Sequence, residues 1–260
     1  MARDFDGSAD YLTRTGTPII TAYPFTVSAW INIDSFTNSP AVFQFGNSAA
    51  DDSRMGLYFH TTGQLYASAR NGSNIRMWGT TASCSTGTWY NVIGVFLDST
   101  TNVSYIDGVG TGSYVSSATA TWPTLGRTAI GAVHRSTASQ FCDGRIAEVA
   151  VWNAALSNSA GEIPQLVSGM SPLMVRPQSL VAYWPLHVRA GASGDELDWV
   201  GGQTLSQVSS PPLSDHPRII YPRRRIITPY QAAAGSLPTL TALTASNITT
   251  SGWRATLTAA

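Results

Sequence analysis

Between residues 25 and 33 the chain reads FTVSAWINI, with Phe25, Val27, Ala29 and Ile31 apolar and Thr26, Ser28, Trp30 and Asn32 between them. A period of two suits a strand with one buried face and does not suit a helix. The same texture recurs in AVFQFG (41–46), MGLYFHTTGQLYASARNG (55–72), WYNVIGVFLDSTTNVSYIDG (89–108), TAIGAVH (128–134), GRIAEVAVWN (144–153) and LVAYWPL (180–186). HTTGQ at 60–64 and DSTTN at 98–102 carry the Gly, Asp and Asn content of hairpin loops. Short strands at this spacing predict an antiparallel β-sandwich. One segment, 153–169, can form a helix with Leu156, Ile163, Leu166 and Val167 on one face, and Pro164 limits it to a turn or two.

Composition narrows the function classes. Charged residues are only 12% of the 260, the formal net charge is zero, and all 15 basic residues are Arg. A neutral balance argues against a general nucleic-acid or anionic-membrane binder, and the lack of Lys reads as compositional bias. Cys84 and Cys142 are too few for a disulfide framework and have no metal-ligand spacing, so two free thiols or one bridge both fit. No apolar run is long enough to cross a membrane, and MARDFDGSADYL has no apolar leader core.

From residue 209 the chain turns to SSPPLSDHPRIIYPRRRIITPYQAAAGS, where five prolines predict an extended connector lying over a neighbouring surface. Arg223, Arg224 and Arg225 are its candidate partner contacts. Beyond it, 237–260 reads as two short strands with Trp253 as an anchor.

Catalytic signatures are sparse. Retaining glycoside hydrolysis needs two carboxyl groups about 5 Å apart, yet the chain has only three Glu (Glu148, Glu162, Glu196) and no E-x-D run. Asp195, Glu196 and Asp198 cluster in a turn-rich loop, the four His are scattered, and neither a G-x-S-x-G elbow nor a Gly-rich phosphate loop occurs. The reading is therefore a non-catalytic protein.

Several motifs together resemble the laminin-G-like, concanavalin A-type jelly-roll family, in the version common in bacteriophage and bacterial multidomain proteins. They are FDGSADYL (5–12), FTVSAWIN (25–32), GTWYNVIGVFL (87–97), VSYIDG (103–108), GRIAEVAVWNAALS (144–157) and LVAYWPL (180–186). The resemblance implies an all-β sandwich of two antiparallel sheets over 1–208, a linker over 209–236, and a partial fibronectin type III-like segment over 237–260. In many members the counterpart of LVAYWPL precedes that of FDGSADYL. Here it follows, so the order is circularly permuted and 180–186 is expected beside 3–7, since permutation needs neighbouring ends.

The residues by themselves point to no cofactor. Ca²⁺ is the one the resemblance admits, with Asp6, Gly7 and Asp143 as candidate ligands and Asp51–Asp52 as an alternative. Ala147, where many members carry Asp, weakens that implication. Glu148 is expected to be a structural carboxylate paired with an Arg, on a face shared with Ile146, Ala150 and Trp152. Glycan contacts would use aromatics among polar neighbours, namely Trp78 in a loop-like setting, Trp30, Trp89, Trp122 and Tyr58. The resemblance implies first a structural or adhesion protein of a bacteriophage virion, such as a capsid decoration, fibre or tail component. Its contacts with other virion proteins or with further copies of itself would run through 211–260. The alternative is a carbohydrate-binding module of an extracellular or cell-surface adhesin that meets host-surface glycans.

Overall fold

In the computed structural model, which describes residues 2–49, 53–117, 121–187 and 194–222, the alternating runs form strands of two facing antiparallel sheets. In chain order these are β1 (Ala2–Asp6), β2 (Tyr11–Thr15), β3 (Phe25–Ser35), β4 (Ala41–Gly46), β5 (Ser53–Phe59), β6 (Gln64–Asn71), β7 (Asn74–Ser83) and β8 (Tyr90–Phe96). They continue as β9 (Asn102–Ile106), β10 (Thr111–Ser117), β11 (Arg127–Ile130), β12 (Val133–His134), β13 (Ala138–Ser139) and β14 (Asp143–Trp152). The helix α1 (Glu162–Val167) follows, then β15 (Leu180–Trp184), β16 (Ser206–Val208) and β17 (Leu213–Ser214). Sheet A runs β17-β1-β14-β3-β8-β9, with β15 also on β14, and sheet B runs β10-β7-β6-β5-β4-β11-β2-β16.

The core follows the predicted alternation. Phe25, Val27, Ala29, Ile31 and Ile33 of sheet A meet Phe43, Phe45, Met55, Leu57 and Phe59 of sheet B, all buried. Phe25 stacks on Phe96 with centroids 4.3 Å apart. Each such side chain contributes about 1.5–3 kcal/mol by leaving water. Both expected hairpins form: His60 donates to the Gln64 carbonyl across the β5–β6 turn, and Leu97 donates to the Thr101 carbonyl across the β8–β9 turn.

Strand β14 changes phase part-way along. Against β3 it advances from Ala147 to Ala150 while its partner moves only from Trp30 to Ser28, which is a β-bulge at Glu148, where φ is 55°. Ile146 before the bulge and Val149 and Val151 after it all face the core, whereas Ala150 and Trp152 pack into a second, outer layer. The expected grouping of Ile146 with Glu148, Ala150 and Trp152 is therefore corrected. One extra residue exchanges the faces of everything beyond it.

β1 pairs with Asp143–Ile146 and β15 with Val149–Trp152, so the strands expected to be neighbours meet on β14 with Glu148 between them.

The outer face of sheet A is covered at its Trp152 end. Segment 153–179, with α1 in it, lays Leu156, Ile163, Leu166 and Val175 over Ile93, Val95, Ala150, Trp152 and Tyr183. Thr26 and Ser28 are accordingly buried on the face that alternation alone reads as polar. Thr26 donates its hydroxyl to the Ala154 carbonyl and accepts from the Leu156 amide, at 2.7 and 3.0 Å.

The proline-rich strap adds to this cover. β17 pairs with β1, the Asp4 amide donates to the Pro212 carbonyl, and Ile220 exchanges backbone bonds with Gly169 and Ser171. The compact unit therefore runs to Pro222, beyond the boundary expected at 208. The expected contacts at Arg223, Arg224, Arg225 and Trp253, and the segment 237–260, lie outside the described residues.

Candidate ligand-binding face

Sheet B presents its outer face differently. On β5, Met55, Leu57 and Phe59 point inward, so Arg54, Gly56 and Tyr58 point out. On β6, Leu65, Ala67 and Ala69 point inward, so Tyr66, Ser68 and Arg70 point out. The registers align Arg127 of β11 with Gly46, Gly46 with Arg54, and Arg54 with Arg70, making one row across four strands. A second row aligns Tyr58 with Tyr66, and Tyr66 with Gly79. The Arg54 guanidinium lies 5.5 Å from the Tyr58 ring centroid, reached across Gly56, which offers no side chain in its way.

Among the described residues only the β12–β13 hairpin crosses this face. His134 donates its amide to Gln44 Oε1 at 3.0 Å and accepts from Gln44 Nε2 through its carbonyl at 3.1 Å. Arg127 donates to the Arg135 carbonyl and, through Nε, to the Thr15 hydroxyl. The hairpin thus buries Gln44, Ala41 and Tyr58 and leaves Arg54, Arg70, Tyr66, Met77 and Arg127 half-buried at its side. Burial pushes the Tyr58 phenol up to about 12, against the pull of Arg54 and Arg135. Burial, reinforced by Arg127, pulls the His134 imidazole down to about 4, so it is neutral at pH 7.

The aromatic candidates divide. Tyr58 is in this cluster, though 6% exposed and under the hairpin. Trp78 is on strand β7 rather than in a loop, and it pairs with Ala67, whose side chain is in the core between the sheets. Trp122 packs on that core against Tyr23 and Phe25, at 5.0 and 5.9 Å between centroids. Trp30 lies on the outer side of sheet A, between Asn91 and Ala147, and Trp89 precedes β8; neither joins the sheet B face. Nothing local in the sequence marks Arg54, Arg70, Arg127 and Tyr66 as neighbours. The signal available was their spacing against the core positions of β5 and β6.

The carboxylates are engaged elsewhere. Glu148 is 1% exposed and is not paired with an Arg. It accepts hydrogen bonds from the Tyr183 and Tyr221 hydroxyls at 2.5 and 2.6 Å and faces His216 Nε2 at 3.1 Å, which ties the strap to the sandwich. Glu196 meets Arg3 at 2.5 Å, and Asp198 accepts backbone amides of Tyr183, Val200 and Gln203.

Asp6 and Asp143 are register partners at one end of β1 and β14, with Gly7 against Asp143. The Asp6 oxygens accept the amides of Ser8, Ala9 and Asp10 and the Ser8 hydroxyl. Burial acts to raise its pKa, but these bonds outweigh it and hold the carboxyl well below the usual range. With those lone pairs spent within its own turn, Asp6 is a poor Ca²⁺ ligand, and among the described residues no group of three His, Cys, Asp or Glu side chains is placed to hold an ion. Asp51–Asp52 lies outside the described residues. Cys84 and Cys142 are both buried free thiols.

Residues 6–160, more than half of the chain, match the family described as the concanavalin A-like lectin/glucanases superfamily. The chain belongs to this superfamily. Two solved structures share its fold. One is a proposed carbohydrate binding protein of Bacteroides ovatus, with a TM-score of 0.55 and 18% identity over 82% of this chain and 60% of that one. The other is the CBM40 module of a Ruminococcus gnavus IT-sialidase bound to α2,3-sialyllactose, with a TM-score of 0.51 and 12% identity over 62% of this chain and 95% of that one. No curated protein matches the sequence.

Proposed function

We propose that this member of the superfamily is a non-catalytic carbohydrate-binding module whose ligand face is the outer face of sheet B. The supporting observation is the unequal cover of the two sheets. Segments 153–179 and 211–222 bury the Trp152 end of sheet A's outer face, and beyond it the partly exposed Arg145 is paired with Asp4 and Asp34, while among the described residues sheet B carries one short hairpin and, beside it, half-buried Tyr66, Met77 and three arginines. Sugar recognition needs such a surface, with a ring to stack on and side-chain donors for hydroxyl groups. The Tyr66 ring, lying across Gly79, supplies the platform.

Two further points support the reading. Both solved structures reported above are described in terms of carbohydrate binding. The carboxylates of Glu148, Glu196 and Asp198 are occupied by structural partners. We propose also that binding proceeds without a resident metal ion, and that the module acts where glycans are displayed, outside cells or on their surfaces. A bacteriophage setting rests on the sequence resemblance alone, and residues 211–222, expected to meet virion partners, bind within their own chain.

A glycan array probed with the full chain tests the proposal. Saturable binding that Tyr66→Ala abolishes and Trp122→Phe leaves intact is expected. Binding that survives Tyr66→Ala, or no binding to any glycan, would overturn it.

A further inference from the structure

The strands of the two sheets differ in charge. Those of sheet B carry Arg14, Arg54, Arg70, Arg76 and Arg127 and no Asp or Glu, whereas those of sheet A carry Asp4, Asp6, Asp34, Asp143 and Glu148 against Arg3 and Arg145. A chain with a formal net charge of zero has thereby concentrated its strand cations on one sheet.

Within sheet B, Arg54 and Arg70 are direct cross-strand partners. Like charges placed opposite each other destabilise a ladder. The sheet A arginines are compensated: Arg3 by Glu196, and Arg145 by Asp4 and Asp34. Among the described residues no carboxylate pairs with Arg54, Arg70 or Arg127, whose bonds go to the Tyr58 ring, the Gly72 carbonyl, and Thr15 with the Arg135 carbonyl. Each guanidinium keeps N–H groups for another acceptor, in the planar fork that grips carboxylate or sulfate with two parallel bonds.

We propose that the ligand of this face is an anionic glycan, with Arg54, Arg70 and Arg127 receiving its carboxylate or sulfate groups while Tyr66 stacks on a neighbouring ring. The inference rests on the carbohydrate-binding reading and adds the ligand class to it. It also gives the all-arginine composition a use, because lysine cannot supply the two-pronged contact.

Calorimetric titration of the full chain against a polyuronate, a sulfated polysaccharide, neutral dextran and inorganic sulfate tests it. Tight binding to one or both charged polymers and none to dextran is expected, and the two polymers separate carboxylate from sulfate recognition. Arg54→Gln and Arg70→Gln should each weaken binding roughly tenfold, as loss of a charge-assisted contact predicts. Arg54→Lys, which keeps the charge, should recover only part of it, and Arg145→Gln on sheet A should change nothing. Dextran bound as tightly as the polyanions, indifferent to the arginine variants but sensitive to Tyr66→Ala, would overturn the anionic class and leave the carbohydrate module standing. Equal weakening by Arg145→Gln would reduce the effect to general electrostatics and overturn the site. No binding to any polymer would overturn both readings.

Discussion

Replacing Glu148 by Ala tests the buried polar contact that holds the strap on the sandwich. The carboxylate is buried in the β14 bulge and accepts from Tyr183, whose side chain is fully buried, and from Tyr221 on the strap, with His216 as its third neighbour. A hydrogen bond to a charged group contributes about 1.5–3 kcal/mol. Tyr221 is 37% exposed, so it and its neighbour His216 on the strap regain water when the carboxylate goes. Tyr183 does not, and it loses its acceptor in the core of the outer layer. The expected destabilisation is therefore about 2–3 kcal/mol, the cost of one charge-assisted bond whose neutral buried donor is left unsatisfied, rather than the sum of separate bonds. Backbone strain separates two variants. At φ 55° an Ala is strained and a Gly is not, so Glu148→Gly should be about 1 kcal/mol less destabilised than Glu148→Ala. Urea denaturation at pH 7 measures both, and limited proteolysis should show faster cleavage between 209 and 222 as the strap loosens. A Glu148→Ala protein within about 1 kcal/mol of wild type, where surface substitutions fall, would refute the clamp. So would a cycle with Tyr183→Phe that shows no coupling.

Three more outcomes follow from the geometry. His134 is held down to about 4 from 6.5, so between those values the unfolded chain binds a proton that the folded one refuses; stability should fall as pH drops through that window, and His134→Gln should flatten the slope of the urea midpoint against pH relative to wild type. Gly79→Ala would bring a methyl carbon 2.4 Å from Tyr66 Cε1; because that half-buried ring can swing away, calorimetry should show weaker glycan binding with a melting temperature little changed. Millimolar Ca²⁺ and then EDTA should leave the melting temperature where it was, since a resident site would raise it by several degrees.

Much of the scaffold was legible because alternation is a local signal. Phe25 to Ile33 declared their buried face, and the turns at 60–64 and 98–102 declared their hairpins. The phase of β14 was not legible, because a bulge inserts a residue without changing residue type, and Glu148 reads as strand on either side of it. Its partners were hidden for a different reason: Tyr183, His216 and Tyr221 come from segments whose only link to Glu148 is tertiary. The proposed binding face is half legible. Tyr58 stands out in the sequence as an aromatic among polar neighbours, whereas the arginines around it align only once β5, β6 and β11 are in register. Trp78 pairs with core-facing Ala67 and Trp122 packs on the core, placements that their local sequence does not reveal.

Amide chemical-shift mapping during titration with the best-bound glycan shows which face meets the ligand. Perturbations should concentrate at 54–58, 66–70 and 127–135 on sheet B. Perturbations concentrated instead around Trp199 and Tyr221, the exposed aromatics on the opposite side of the sandwich, would contradict the sheet B assignment.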